Sequence, residues 1–321
     1  MGEIKLPSRT VLERGLILSI VMAAIGYLGF SIWAGWQDVV SALTQIGSIG
    51  IGATLALSLI NCGLRFFRWQ LYLRSMGHSV KLVPSGLIYF SGFALTTTPG
   101  KAGELLRCVF LERYGMPFSR SIAAFVSERL CDVMAILAIS LPGMMLYPAA
   151  WPVAAICLVG FVILAALLMN TDRLEQAEKW LRQHPSRLCA SLRHILRVII
   201  EGKPCYRFPI LIIALPVSVL AWTMEAFAFY LLLLWMHNPL PIWTAMSIYA
   251  LGMFVGGLSF LPGGLGGTEA VMTGLLLLCG LGQAHAFATT LIIRLATLWF
   301  AVFLGAITLS VGQKHLVGIR T

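Results

Sequence analysis

From Ala226 to Thr268 the chain runs 43 residues without a charged side chain, and from Val133 to Thr171 another 39. Soluble domains carry a charge at about one position in four, so neither run fits one. A helix needs roughly 20 apolar residues to cross the hydrocarbon of a bilayer, and each run therefore holds more than one membrane segment. Gly15 to Gly35 adds a further 21 uncharged residues. Backbone in lipid must satisfy its own hydrogen bonds, which a helix does within one segment. The expected fold is all-α and polytopic.

The charges that do occur are grouped. A formal net charge of +10 would suggest a nucleic-acid partner in a soluble chain. Here Lys and Arg occur at three positions in 1–14, four in 65–81, four in 101–120, eight in 170–207 and two after 313. Loops near 36–47, 142–152, 236–242 and 280–285 have none. This asymmetry is the positive-inside pattern. It explains the basic balance without nucleic acid and predicts a multi-pass membrane protein with both termini in the cytoplasm. Lys5, Arg9 and Arg14 precede an apolar run too long for a signal-peptide core, so a retained first span is expected. Seven scattered cysteines show no metal-site spacing, and disulfides are not expected.

Threading these segments gives about six full transmembrane helices, near 14–35, 43–64, 121–147, 150–170, 208–235 and 284–312. Two shorter apolar pieces are read as re-entrant helical hairpins. One (84–115) enters from the cytoplasm, and the other (243–281) enters from outside. The first repeat is 1–149; the second is 150–321 and includes a basic cytoplasmic loop at 171–207 with two amphipathic helices. Their first spans point in opposite directions, as in an inverted-topology repeat. The alternative, in which the hairpin arms cross fully, is disfavoured because 84–98 is short and Lys101 would need an extracellular partner.

Each hairpin breaks at a similar motif. Pro99, Gly100, Lys101, Ala102 and Gly103 lead to Glu104; Pro262, Gly263, Gly264, Leu265, Gly266, Gly267 and Thr268 lead to Glu269. An arginine follows each glutamate by 25 residues, at Arg129 and Arg294. Interrupted apolar segments at corresponding places in two halves point to a transporter's binding site, and ionisable residues inside a membrane are functional candidates. Irregular backbone at that depth must be buried in protein or line a wet cavity. Glu104–Arg129 and Glu269–Arg294 either staple each hairpin to the next helix or bind substrate, with Glu225 a second candidate partner for Arg294. Arg65, Arg68, Lys101 and Arg107 enrich the first half in positive charge, as phosphate ligands or as interfacial anchors. Glu128, Asp132 and Glu225 join Glu104 and Glu269 as candidates for gating or proton coupling.

No ATP-binding loop, metal-ligand helix or nucleophile elbow is present in the sequence. The expectation is a protein that is not an enzyme and needs no metal or cofactor. Two rival readings remain: a membrane-embedded lipid-modifying transferase, and a non-transporting scaffold for an envelope-lipid pathway acting through 171–207.

The stretches Pro99 to Arg107, Ser127 to Asp132, and Leu261 to Glu269 with Arg294 resemble the lysylphosphatidylglycerol synthase transmembrane-domain family, also called the flippase-like domain. The resemblance covers nearly the whole chain. It implies translocation of an anionic or phosphate-containing lipid, such as an aminoacylated phospholipid or a polyprenyl-phosphate-linked lipid, across the bacterial cytoplasmic (inner) membrane by a flippase or scramblase. It also implies site roles for Glu104, Arg107, Arg129, Glu269 and Arg294. A free-standing member without the soluble synthase domain is expected, with a separate lipid synthase or glycosyltransferase as its partner. The resemblance does not specify the lipid, the direction, the energy coupling or the oligomeric state.

Overall fold

The computed structural model describes residues 36–98, 104–184 and 186–317, together with Gly29. The expected first span, apart from Gly29, and the hairpin residues Pro99, Gly100, Lys101 and Gly103 lie outside the described residues. Among the described residues the regular structure is helical throughout. Four helical stretches, Gln37–Ser75, Pro148–Met169, Phe208–Trp235 and Gln283–Gly312, are long and apolar enough to cross a membrane. The protein is an all-α multi-pass membrane protein.

In chain order, α1 is Trp36–Ser75, bent at Gly47, whose φ of 66° leaves the helical region. Next come α2 (Leu82–Ser91), which tightens into a 3-10 turn at Gly92–Leu95, then α3 (Leu106–Glu112) and α4 (Phe118–Met144). α5 (Trp151–Met169) leads into α6 (Thr171–Arg182) and α7 (Arg187–Glu201). After a single turn at Lys203–Tyr206, α8 (Phe208–Trp235) is followed by α9 (Ile242–Leu258) and α10 (Gly267–Leu278). α11 (Gln283–Arg294) passes through a π turn at Leu295–Trp299 into α12 (Phe300–Val317). Neither Leu82–Leu95 nor α9 reaches the roughly 20 residues that a crossing requires.

The packing exchanges partners between the halves. α9 lies against α4, while α2 and its 3-10 turn lie against α12. α1 and α8, each leading into a short apolar segment, pack on one another. Both exchanged contacts depend on a glycine. A Cβ at Gly143 of α4 would fall on the Trp243 carbonyl of α9, and a Cβ at Gly305 of α12 would fall on the backbone of Phe93 and Ala94. Overpacking a close contact costs about 1–3 kcal/mol. Gly143→Ala and Gly305→Ala are each expected to lower the unfolding free energy by about that amount, measured by thermal unfolding in detergent. Wild-type melting of both variants would show that the backbones part freely.

Polarity is arranged for lipid rather than water. α5 exposes Ile156, Val159 and Ile163, whereas the buried stripe of α1 is polar: Thr54, Ser58, Asn61, Arg65 and Arg68 recur at helical spacing. Here the structure corrects the sequence reading of α1. That helix continues well past residue 64, and Arg68 is fully buried rather than an interfacial anchor, with Trp69 beside it also fully buried.

Candidate functional site

The polar stripe of α1 faces α4, where Glu128 and Asp132 stand one turn apart. Arg68 Nη1 donates to Asp132 Oδ1 at 2.7 Å and also to Ser218 Oγ on α8. The Trp222 indole, also on α8, donates to the same Asp132 oxygen at 3.0 Å. Arg107 on α3 joins two carboxylates, with Nη2 2.9 Å from Glu104 Oε2 and Nη1 3.0 Å from Glu128 Oε2. Its guanidinium is also surrounded by the rings of Trp69, Tyr89 and Phe125, at 5.0, 4.8 and 5.4 Å. Arg65 Nη2 lies 3.7 Å from Asp132 Oδ2, with its guanidinium between Phe93 and Trp222. With Arg129, which bridges Asp132 and Glu104, four arginines and three carboxylates form one network, as buried charges require.

The second half is simpler. Arg294 Nε pairs with Glu269 Oε1 at 2.7 Å, and its Nη2 donates to the Gly263 carbonyl at 2.6 Å. Glu269 Oε2 accepts from the Gly266 amide at 2.7 Å, at the N-terminus of α10. One arginine and one glutamate therefore satisfy backbone groups released by the break, where Gly263, Gly264 and Gly266 have φ of 62°, 69° and 85°. The π turn begins at the residue after Arg294, and such turns are frequent at functional sites. Nearby, Tyr249 donates to Glu225 Oε2 at 2.6 Å.

Two cavities adjoin these groups. A small one of about 50 Å³ lies where the halves meet, lined by Asn61, Arg65, Glu104, Glu225, Gly263 and Arg294 among others. Asn61 Oδ1 is buried there without a hydrogen-bond partner among the described residues, and the space suits a water. A larger cleft of about 280 Å³ opens between α4 and the second hairpin. Arg129 and Asp132 form one side, Gly263, Gly264 and Thr268 the other, and Phe254 and Leu261 add apolar wall.

Arg129 differs from the other arginines. Its side chain is 22% exposed, against 1% or less for Arg68, Arg107 and Arg294. It approaches Asp132 Oδ2 at 3.3 Å and Glu104 Oε2 at 3.7 Å; its Nε and Nη2 are buried without a hydrogen bond among the described residues, and the exposure belongs to the rest of the side chain. A planar donor fork beside a cleft with apolar walls is suited to a phosphate that carries a hydrocarbon tail.

The structure thus brings Arg65, Arg68, Glu104, Arg107, Glu128, Arg129 and Asp132 into one cluster. Glu269, Arg294, Pro262, Gly263, Gly264, Gly266 and Gly267 form the second break, and Glu225 lies at the cavity between the halves. Glu104 has Arg107 as a closer partner than Arg129. Sequence reasoning missed Asn61, Ser218, Trp222 and Tyr249. They stand in apolar segments, and only the hydroxyl, amide or indole handle could have marked them.

The sequence profile of the lysylphosphatidylglycerol synthase TM region matches residues 16–305. A UPF0104 membrane protein of Methanothermobacter thermautotrophicus is 22% identical over 91% of this chain and 94% of its own length. A UPF0104 membrane protein of Pyrococcus horikoshii is 22% identical over 89% and 93%. UPF0104 proteins are members of the same family. With a match over most of its length, the chain described here belongs to the lysylphosphatidylglycerol synthase TM region family.

Proposed function

We propose that this protein is a lipid transporter, a flippase or scramblase, that moves a phosphate-containing lipid across the cytoplasmic membrane without altering it chemically. The observation that carries the reading is the cleft at Arg129. It offers a part-exposed arginine and broken glycine backbone to a headgroup, and apolar wall to the chain behind it. Family membership supports a role in lipid metabolism.

Depth supports the same reading. Arg129 and Arg294 are each the twelfth residue of their helices, about 17 Å from the first Cα. Both would lie near mid-membrane if those helices begin at opposite faces. The exchanged packing of α9 on α4 and α2 on α12 supports an inverted repeat, with one hairpin entering from each side. Rocking of one repeat against the other would then open the polar path alternately.

The test is reconstitution into liposomes containing a trace lipid with a fluorescent headgroup label, quenched from outside. The expected result is faster loss of inner-leaflet fluorescence for a phosphatidylglycerol or polyprenyl-phosphate probe than in protein-free liposomes, with chemically unchanged lipid recovered. Rates equal to protein-free liposomes for every probe would refute transport. A modified lipid would favour a transferase.

A further inference from the structure

The α6–α7 hairpin has an apolar face that nothing among the described residues covers. Leu188, Leu192 and Ile195 recur at steps of four and three residues on α7 and are 71%, 43% and 57% exposed. The stripe continues into Ile199, which is part-buried where α7 packs on the membrane helices, so it is uncovered from Leu188 to Ile195. Cys189, Leu196 and Ile200, turned about 100° away, are part-buried. Arg193, His194 and Arg197 are exposed on the opposite side. The helix therefore has a packed sector, a basic sector and an unpartnered apolar sector.

Both ends of the hairpin are held against membrane helices. Only Asn170 separates α5 from α6, and α7 runs through the turn at Lys203–Tyr206 into α8. Lys203 Nζ closes the base, 2.9 Å from Asp172 and 3.3 Å from Glu175. α6 is about 18 Å long, so a hairpin tethered at both ends stays beside the bilayer. Residues 170–207 carry eight Lys and Arg against four Asp and Glu. Positive charge, an apolar stripe and enforced proximity all match one occupant.

We infer that α7 lies in the headgroup layer of the adjoining leaflet, with Leu188, Leu192 and Ile195 inserted and its arginines bound to anionic phospholipid. The docked helix is connected to the charged cluster. Val198 and Ile199 pack in the same apolar cluster as Met134 of α4, and Tyr206 Oη lies 2.8 Å from Ser127 Oγ, next to Glu128 and Arg129. This inference stands whether or not the protein translocates lipid.

The experiment is limited trypsin digestion of the full chain in nanodiscs, reading cleavage after Arg193 and Arg197 by mass. One set of discs is pure phosphatidylcholine; the other is a three-to-one mixture with phosphatidylglycerol. Cleavage is expected to be about 30-fold slower in the anionic discs, the scale set by two basic residues at an anionic surface. The Leu188→Glu, Leu192→Glu, Ile195→Glu variant should lose that protection. A second variant, Leu188→Ser, Leu192→Ser, Ile195→Ser, keeps every native charge and should lose it too, which separates insertion from electrostatic attraction. All three positions are exposed, so the melting temperature should hold. Equal wild-type cleavage in both discs would overturn the inference, as would full protection in the serine variant.

Discussion

Arg107→Ala is expected to destabilise the protein by about 3–5 kcal/mol, the cost of removing one partner from a buried ion pair. Arg107 is 1% exposed and holds both Glu104 and Glu128, so alanine leaves two buried carboxylates facing each other's negative charge. The second half shows how the site can be built without it. At the positions corresponding to Arg107 and Glu128 stand Met272 and Ile293, both fully buried. A variant carrying Arg107→Met and Glu128→Ile together copies that arrangement and removes both members of one pair. Replacing a buried pair by apolar side chains of similar volume is often neutral, and Glu104 would then be left to Arg129, as Glu269 is to Arg294. The double variant should therefore melt closer to wild type than Arg107→Ala does. Thermal unfolding in detergent decides: a double variant as unstable as the single one would show that Glu128 is needed for itself.

The same comparison shows what the sequence could and could not reveal. Long uncharged runs and clustered basic loops locate the helices, and α8 begins and ends at the expected residues 208 and 235. The equal spacing from glutamate to arginine points to the pair that forms in the second half, at 2.7 Å. In the first half the same spacing leads to a looser contact, 3.7 Å, because Arg107 takes Glu104 first. Spacing along a chain records which groups face each other, but several charges on one face leave the choice to distance. The burial of Arg65, Arg68 and Trp69 was hidden for a related reason. A basic stretch after an apolar run has the same composition at an interface as inside a bundle. Only the packing of α8 and α4 around it distinguishes the two. The cleft at Arg129 needs the second hairpin beside α4, a contact between distant segments that no local pattern encodes.

That cleft sets the second large effect, which separates transport from stability. Arg129→Ala should slow headgroup-dependent lipid translocation about 10- to 100-fold, the range set by losing a hydrogen bond to a charged group, about 1.5–3 kcal/mol. Its effect on unfolding should stay near 1 kcal/mol, because its ion pairs are long and its side chain is part-exposed. Arg129→Lys keeps the charge but loses the fork, so an intermediate rate is expected. Arg294→Ala should do the reverse in proportion. It strands Glu269 and the Gly263 carbonyl inside the protein, and loss of fold should dominate its phenotype. The pair of variants tests whether the two arginines, matched in sequence, have divided their work. Wild-type translocation by a well-folded Arg129→Ala protein would remove Arg129 from the path. Equal unfolding of both variants would instead make Arg129 a staple like Arg294, and the cleft beside it a packing defect rather than a route.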